Sequence, residues 1–183
     1  PRLSLSDRWA LISDISMATS KFPTKLNDAQ LALSSIGQYD VAASPLQMAM
    51  VAAGIANDGV LMEPYLTKSV RAANLQTVWT HKDTPMSTPM TRESAKQLQQ
   101  MMVSVVNNGT GRNARIDGVT VGGKTGTAQT SPDKPPYAWF VGWSDKPKVA
   151  VAVFVESSNT ERSEIAGGRL GAPIARDVIE ALR

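Results

Sequence analysis

The chain has 183 residues, 42% hydrophobic and 19% charged, with 19 Lys and Arg against 16 Asp and Glu. That composition suits one domain, or a large part of one, with a sizeable core, and excludes a disordered or collagen-like chain. Zero cysteines and one histidine remove disulfides, thiol nucleophiles and His-based metal sites, and the charges behind a pI near 9.3 form no basic stripe, so nucleic acid is not an expected partner.

In chain order, the first 40 residues are rich in Ser, Asp and Thr and lack a period of 2 or 3.6, which predicts irregular connection with short helical turns. A domain rarely opens with so much irregular chain, so an incomplete domain is expected. No apolar run is long enough to span a bilayer and no basic-then-apolar leader occurs within these residues. That fits a soluble protein, and equally a fragment whose anchor lies upstream. "ASPLQMAMVAAGIANDG" then predicts a helix with Ser44 as N-cap, Pro45 at the first position and Asn57-Asp58-Gly59 as stop. Apolar on nearly every side, it is expected at the centre of a core.

"GVLMEPYLTKSVRAANLQTVWTHK" predicts a pair of strands turning near Ala72 to Asn74, with His81 exposed in a polar loop. A second helix is expected to start at Thr91 and stop at Asn107-Asn108-Gly109, with Ala95, Leu98, Met102, Val105 and Val106 on one face. Asn108-Gly109-Thr110 matches a glycosylation sequon, yet the same residues serve as a helix stop. Strands are expected over Val119 to Thr130, Tyr137 to Trp143 and Lys148 to Glu156, joined by short turns that favour an antiparallel meander. The apolar run "VAVAVFV" predicts cover on both faces of its strand. A last helix from about Pro173, with Ile174, Val178 and Leu182 four residues apart, can lie across the sheet. The fold class is therefore α/β in the α+β sense, an antiparallel sheet with helices on both faces.

"GVTVGGKTGTAQT" carries the candidate chemistry. Gly118, Gly123, Lys124 and Thr125 satisfy the phosphate-loop pattern, which requires a helix to open near Lys124 so that its N-terminus meets the anion. The β-branched residues that follow, and then Pro132, Pro135 and Pro136, favour a strand and forbid a long helix. Lys124-Thr125-Gly126 on a strand matches instead the K-T-G element of penicillin-recognising serine acyl-transferases. With "IGQYDVAASPLQMAMVAAGIANDGVLMEPYL", "MMVSVVNNGTG", "GKTGTAQ", "AWFVGW" and "GAPIARDVI" in the same order, the chain resembles the transpeptidase domain of class B penicillin-binding proteins from roughly residue 30 onward.

On the strand, the Lys124 charge and the Thr125 hydroxyl suit a terminal carboxylate, and Gly126 lets a substrate backbone lie close as an added strand. The resemblance implies that the Thr127 backbone N–H is one of two oxyanion donors. Strict alternation sends Lys124 and Thr125 to opposite faces, so both reach one cleft only on a twisted strand at its rim.

The family's nucleophile lies in S-x-x-K at the start of a helix, followed by S-x-N, both before K-T-G. Here Ser131-Pro132-Asp133-Lys134 and Ser157-Ser158-Asn159 follow K-T-G, and Ser6-Asp7-Arg8 lacks the asparagine, so none qualifies. Residues 1–183 are expected to form the C-terminal part of one transpeptidase domain, with the nucleophile upstream. The resemblance implies a D,D-transpeptidase acting on the D-Ala-D-Ala end of peptidoglycan stem peptides, inhibited by β-lactams and using no cofactor. It also implies a membrane anchor, an extracytoplasmic site, and the upstream part of the same protein and cell-wall synthesis proteins as partners. A penicillin sensor, a β-lactamase and a non-catalytic module binding cell-wall peptide remain as alternatives.

Overall fold

The computed structural model describes residues 19–129 and 133–183. Its centre is a three-stranded antiparallel sheet in the order β5-β6-β7, formed by Val121–Ala128, Tyr137–Asp145 and Lys148–Val155. These are the three strands expected, each within a few residues of its predicted ends. Two small ribbons precede them: β1 (Leu61–Met62) pairs with β4 (Pro85–Ser87), and β2 (Ser69–Arg71) with β3 (Thr77–Thr80).

Four α-helices accompany the sheets among the described residues: α1 (Asp28–Ser35), α2 (Pro45–Ala56), α3 (Arg92–Asn108) and α4 (Ala172–Ala181). The first is set by a capping box, in which the Asn27 side chain accepts from the Gln30 N–H and the Gln30 side chain from the Asn27 N–H. It regularises part of the stretch expected to be irregular; residues 1–18 of that stretch lie outside the described residues. At α2, Ser44 Oγ accepts from the Gln47 N–H at 3.2 Å and Pro45 occupies the first turn, as predicted. Ser44→Ala leaves that N–H unpaired and is expected to destabilise the fold by about 1 kcal/mol, read from the urea midpoint.

The central sheet separates two clusters. One face carries Val121, Phe140, Val151 and Val153 against Val106, Ala114, Ile116 and the α4 residues Ala172, Ala175 and Ile179. On the opposite face Trp143 meets Ile55 of α2 and Met102 of α3. Helices thus cover both faces. Burying Phe140, Ile179 or Val106, all fully inaccessible, stabilises by about 1.5–3 kcal/mol each. An exposed ion pair such as Arg92–Asp58 at 2.9 Å contributes about 0–1 kcal/mol, so the cores dominate.

Two helices pack differently from the sequence expectation. In α4 the stripe against the sheet is Ala172, Ala175 and Ile179, while Ile174, Val178 and Leu182 are 42–57% exposed. The small alanines let the helix axis approach the sheet beside Phe140, which a row of larger side chains would hold off. In α2, Met50, Ala52, Gly54 and Ile55 are buried, but Val51 is 39% exposed. Among the described residues α2 meets β1, β6, β7 and α3, which leaves its far side open. His81 is not exposed either. Its side chain is 15% accessible, stacked on Tyr65 with ring centroids 3.6 Å apart and edge-on to Trp79 at 6.1 Å.

Candidate functional site

The stretch "GGKTGT" lies entirely within β5, and no helix opens at Lys124. Its first two glycines are needed for packing. A Cβ on Gly122 would lie 2.5 Å from the Trp143 indole, and one on Gly123 would lie 2.3 Å from Cζ of Phe140. The bare strand thus seats one aromatic ring on each face of the sheet. The phosphate-loop pattern is a coincidence: Gly123 seats a ring, Gly118 turns at a φ of +75°, and Lys124 and Thr125 continue the strand.

Beyond the glycines the strand changes character: Val121, Gly122 and Gly123 are buried, whereas Lys124 and Thr127 are exposed and Thr125 and Gly126 half-buried. The cause is the position of β5. It pairs with β6 on one side only, and its other edge belongs to no strand among the described residues. Asp145 donates its N–H to the Thr120 carbonyl at 3.1 Å, so residues 120 and 145 form a hydrogen-bonded pair. Antiparallel alternation then bonds Gly122 to Trp143, Lys124 to Val141 and Gly126 to Trp139. The backbone N–H and C=O groups of Gly123, Thr125 and Thr127 accordingly point to the outer edge.

Both side chains in question reach that edge. Lys124 Nζ folds over the strand and donates to the carbonyl oxygen of Thr125, and Thr125 Oγ1 lies 2.7 Å from Thr110 Oγ1. Alternation of faces therefore does not separate the ammonium from the hydroxyl. A long lysine crosses the rim, while the threonine hydroxyl turns toward the loop that follows α3. Lys124, Thr125 and the outward N–H of Thr127 form a row of donors along one open edge, a surface suited to an extended peptide ending in a carboxylate.

Residues far along the chain support this row. The five-residue π turn Gly167–Gly171 lies against β6 on the Phe140 face, where a Cβ on Gly171 would sit 2.9 Å from Phe140 Cβ. Asn113 Nδ2 donates to the Gly168 carbonyl at 2.8 Å, tying the loop after α3 to this turn. Sequence reasoning read Thr110 as part of a helix stop and did not single out Gly167 or Gly168. Thr110 and Thr125 are 15 positions apart, and no local pattern joins them.

Of the rejected serines, Ser157-Ser158-Asn159 follow β7 as the sequence indicates. Ser131 and Ser6 lie outside the described residues.

Residues 11–180 match the family described as penicillin binding protein transpeptidase domain. The chain belongs to the penicillin-binding protein transpeptidase family. It is 42% identical over 158 residues to the peptidoglycan D,D-transpeptidase PbpA of Mycolicibacterium smegmatis, an alignment covering 84% of this chain and 32% of that protein. The crystal structure of PBPA from Mycobacterium tuberculosis superposes with a TM-score of 0.82 at 34% identity, covering 98% of this chain and 45% of that one. Its imipenem acyl-enzyme complex does so with 0.79 at 36% identity, over 93% and 38%. The chain spans about a third of the length of the mycolicibacterial relative. Penicillin-binding transpeptidase membership also accounts for the mixed helix and antiparallel-sheet fold.

Proposed function

We propose that this chain supplies the substrate-binding strand of a peptidoglycan D,D-transpeptidase, as the C-terminal part of one domain whose serine nucleophile lies in residues outside these 183. The observation that carries the reading is the open edge of β5, along which the Lys124 ammonium, the Thr125 hydroxyl and the Thr127 N–H lie in a row. The relatives named peptidoglycan D,D-transpeptidase, and the neighbouring structure caught as a β-lactam acyl-enzyme, support it.

In this reading the D-Ala-D-Ala end of a stem peptide lies along β5 as an added strand. Lys124 and Thr125 hold its terminal carboxylate, and Gly126 keeps the strand surface free of a side chain beneath it. The serine oxygen attacks the carbonyl carbon of the penultimate D-alanine while the Thr127 N–H donates to the carbonyl oxygen as negative charge develops there. Removing one such donor costs about 2.7–4 kcal/mol of barrier. The tetrahedral centre collapses and the C–N bond breaks. D-Alanine leaves with the serine's proton on its amine; the amine of a neighbouring stem then attacks the acyl carbon, the ester C–O bond breaks, and the proton lost by that amine returns to the serine. A β-lactam acylates the same serine by opening of its ring.

The exposure of the described site sets a limit on this chain alone. Two unit charges 4 Å apart interact by about 1 kcal/mol in bulk water and about 4 kcal/mol at an effective dielectric of 20. The exposed edge of β5 is close to the first case. Surrounding it with the remainder of a transpeptidase domain moves it toward the second.

Cell-wall synthesis places such a site on the extracytoplasmic face of the membrane, held there by an anchor outside this chain. Among the described residues no helix is long and apolar enough to cross a membrane. The test is covalent labelling with fluorescent penicillin. The complete protein is expected to be labelled on one serine and to release D-alanine from a D-Ala-D-Ala peptide, while residues 1–183 alone remain unlabelled. Stable labelling of the 183-residue chain would put the nucleophile within these residues and overturn its assignment to an upstream serine.

A further inference from the structure

We propose that Thr110 is a positioning residue of the carboxylate site, acting through the Thr125 hydroxyl; the inference rests on the transpeptidase reading of β5. Thr110 Oγ1 and Thr125 Oγ1 are 2.7 Å apart, and either atom can be the donor in this pair. A hydroxyl has one proton and two lone pairs. A carboxylate only accepts, so Thr125 must direct its single proton to the substrate. Its lone pair is then left to accept from Thr110. Substrate binding thus sets the order Thr110 O–H to Thr125 O–H to carboxylate, and each hydrogen bond polarises the next.

The surroundings hold this geometry from both ends. The loop bearing Thr110 leaves α3 through two bonds to the Val105 carbonyl, from the Gly109 N–H at 3.1 Å and the Gly111 N–H at 3.0 Å. On its other side Gly168 is so close that a Cβ there would lie 2.1 Å from the Thr110 carbonyl oxygen and 3.5 Å from Cγ2 of Thr125. The Thr125 side chain is therefore held at its oxygen by the hydrogen bond from a loop that the π turn closely backs. Fixing it before substrate arrives avoids part of the ordering cost at the moment of binding. Thr110 itself needs no contact with substrate.

Thr110→Val keeps the shape and removes the hydroxyl. In the complete protein it is expected to lower the second-order rate of acylation by benzylpenicillin about tenfold, the upper end of the range for one neutral hydrogen bond. Thr110→Ser is expected to restore most of that rate. Acylation by the methyl ester of the same penicillin, which has no carboxylate to receive the proton, should change by less than about twofold, a distinction that general loosening of the loop would not produce. Combining Thr110→Val with Thr125→Val should be no slower than Thr125→Val alone, because the two hydroxyls act in series.

If Thr110→Val matches the parent protein while Thr125→Val is slow, the relay is wrong and the carboxylate site stands. Losses that multiply in the double variant likewise overturn it. If Thr125→Val and Lys124→Ala both leave the rate intact, the reading of β5 fails, and this inference with it.

Discussion

Lys124→Ala is expected to slow acylation of the complete protein by benzylpenicillin about a hundredfold, with little change in its unfolding midpoint. The ammonium folds over the outer edge of β5 to the strand's own Thr125 carbonyl, and the residue is exposed. Replacing an exposed side chain on an edge strand typically changes stability by no more than about 0.5 kcal/mol. The loss to binding is larger because the substrate carboxylate must leave water to reach the strand. Hydrogen bonds to charged groups contribute about 1.5–3 kcal/mol, and the upper part of that range is a hundredfold in rate. Stopped-flow acylation over a series of penicillin concentrations measures it. An unchanged rate would remove Lys124 from the site, and an equal loss of folding stability would make its role structural.

Gly167→Ala is expected to give the largest effect on folding, a loss of about 3 kcal/mol or more, beyond the usual range for overpacking. A Cβ there would sit 1.9 Å from the Trp139 carbonyl oxygen, 2.7 Å from the Gly126 carbonyl oxygen and 2.9 Å from the Gly126 nitrogen. All three atoms are backbone, and they belong to the ladder that joins β5 to β6 just beyond Lys124 and Thr125. No side-chain rotation can relieve the clash, so the π turn must lift away or the strand must move. Gly118→Ala supplies the contrast: its φ is +75°, yet nothing lies within 4 Å of the added carbon. It should cost only about 1 kcal/mol through backbone strain. Urea unfolding of both variants separates the two mechanisms. Equal midpoints would mean that the close approach of Gly167 to β5 and β6 is absent in solution.

Elements governed by local rules were legible in the sequence. Ser44, Pro45 and the Asn57-Asp58-Gly59 stop bound α2 at Pro45–Ala56, and Thr91 caps α3 by accepting from the Ser94 N–H. The prolines and β-branched residues after Gly123 made β5 a strand, and the membership of the chain in the transpeptidase family agrees with the K-T-G match. Features set by packing were not legible. The choice of Ala172, Ala175 and Ile179 as the inner stripe of α4 depends on how closely a helix can approach Phe140. A periodic count favours the larger residues one stripe away. His81 is covered because Tyr65, well before it in the chain, returns to stack on it. For the candidate site, the sequence named Lys124, Thr125 and Thr127 but left open how adjacent residues of a strand could reach one edge. The answer lies in the absence of a further strand beside β5 among the described residues and in the reach of lysine over the rim.

The most direct test of the account is the structure of the complete protein acylated by benzylpenicillin. The account predicts the penicillin carboxylate within about 3 Å of the Lys124 ammonium and the Thr125 hydroxyl, and the acyl carbonyl oxygen at a similar distance from the Thr127 N–H. An adduct whose carboxylate lies away from the outer edge of β5 would contradict it.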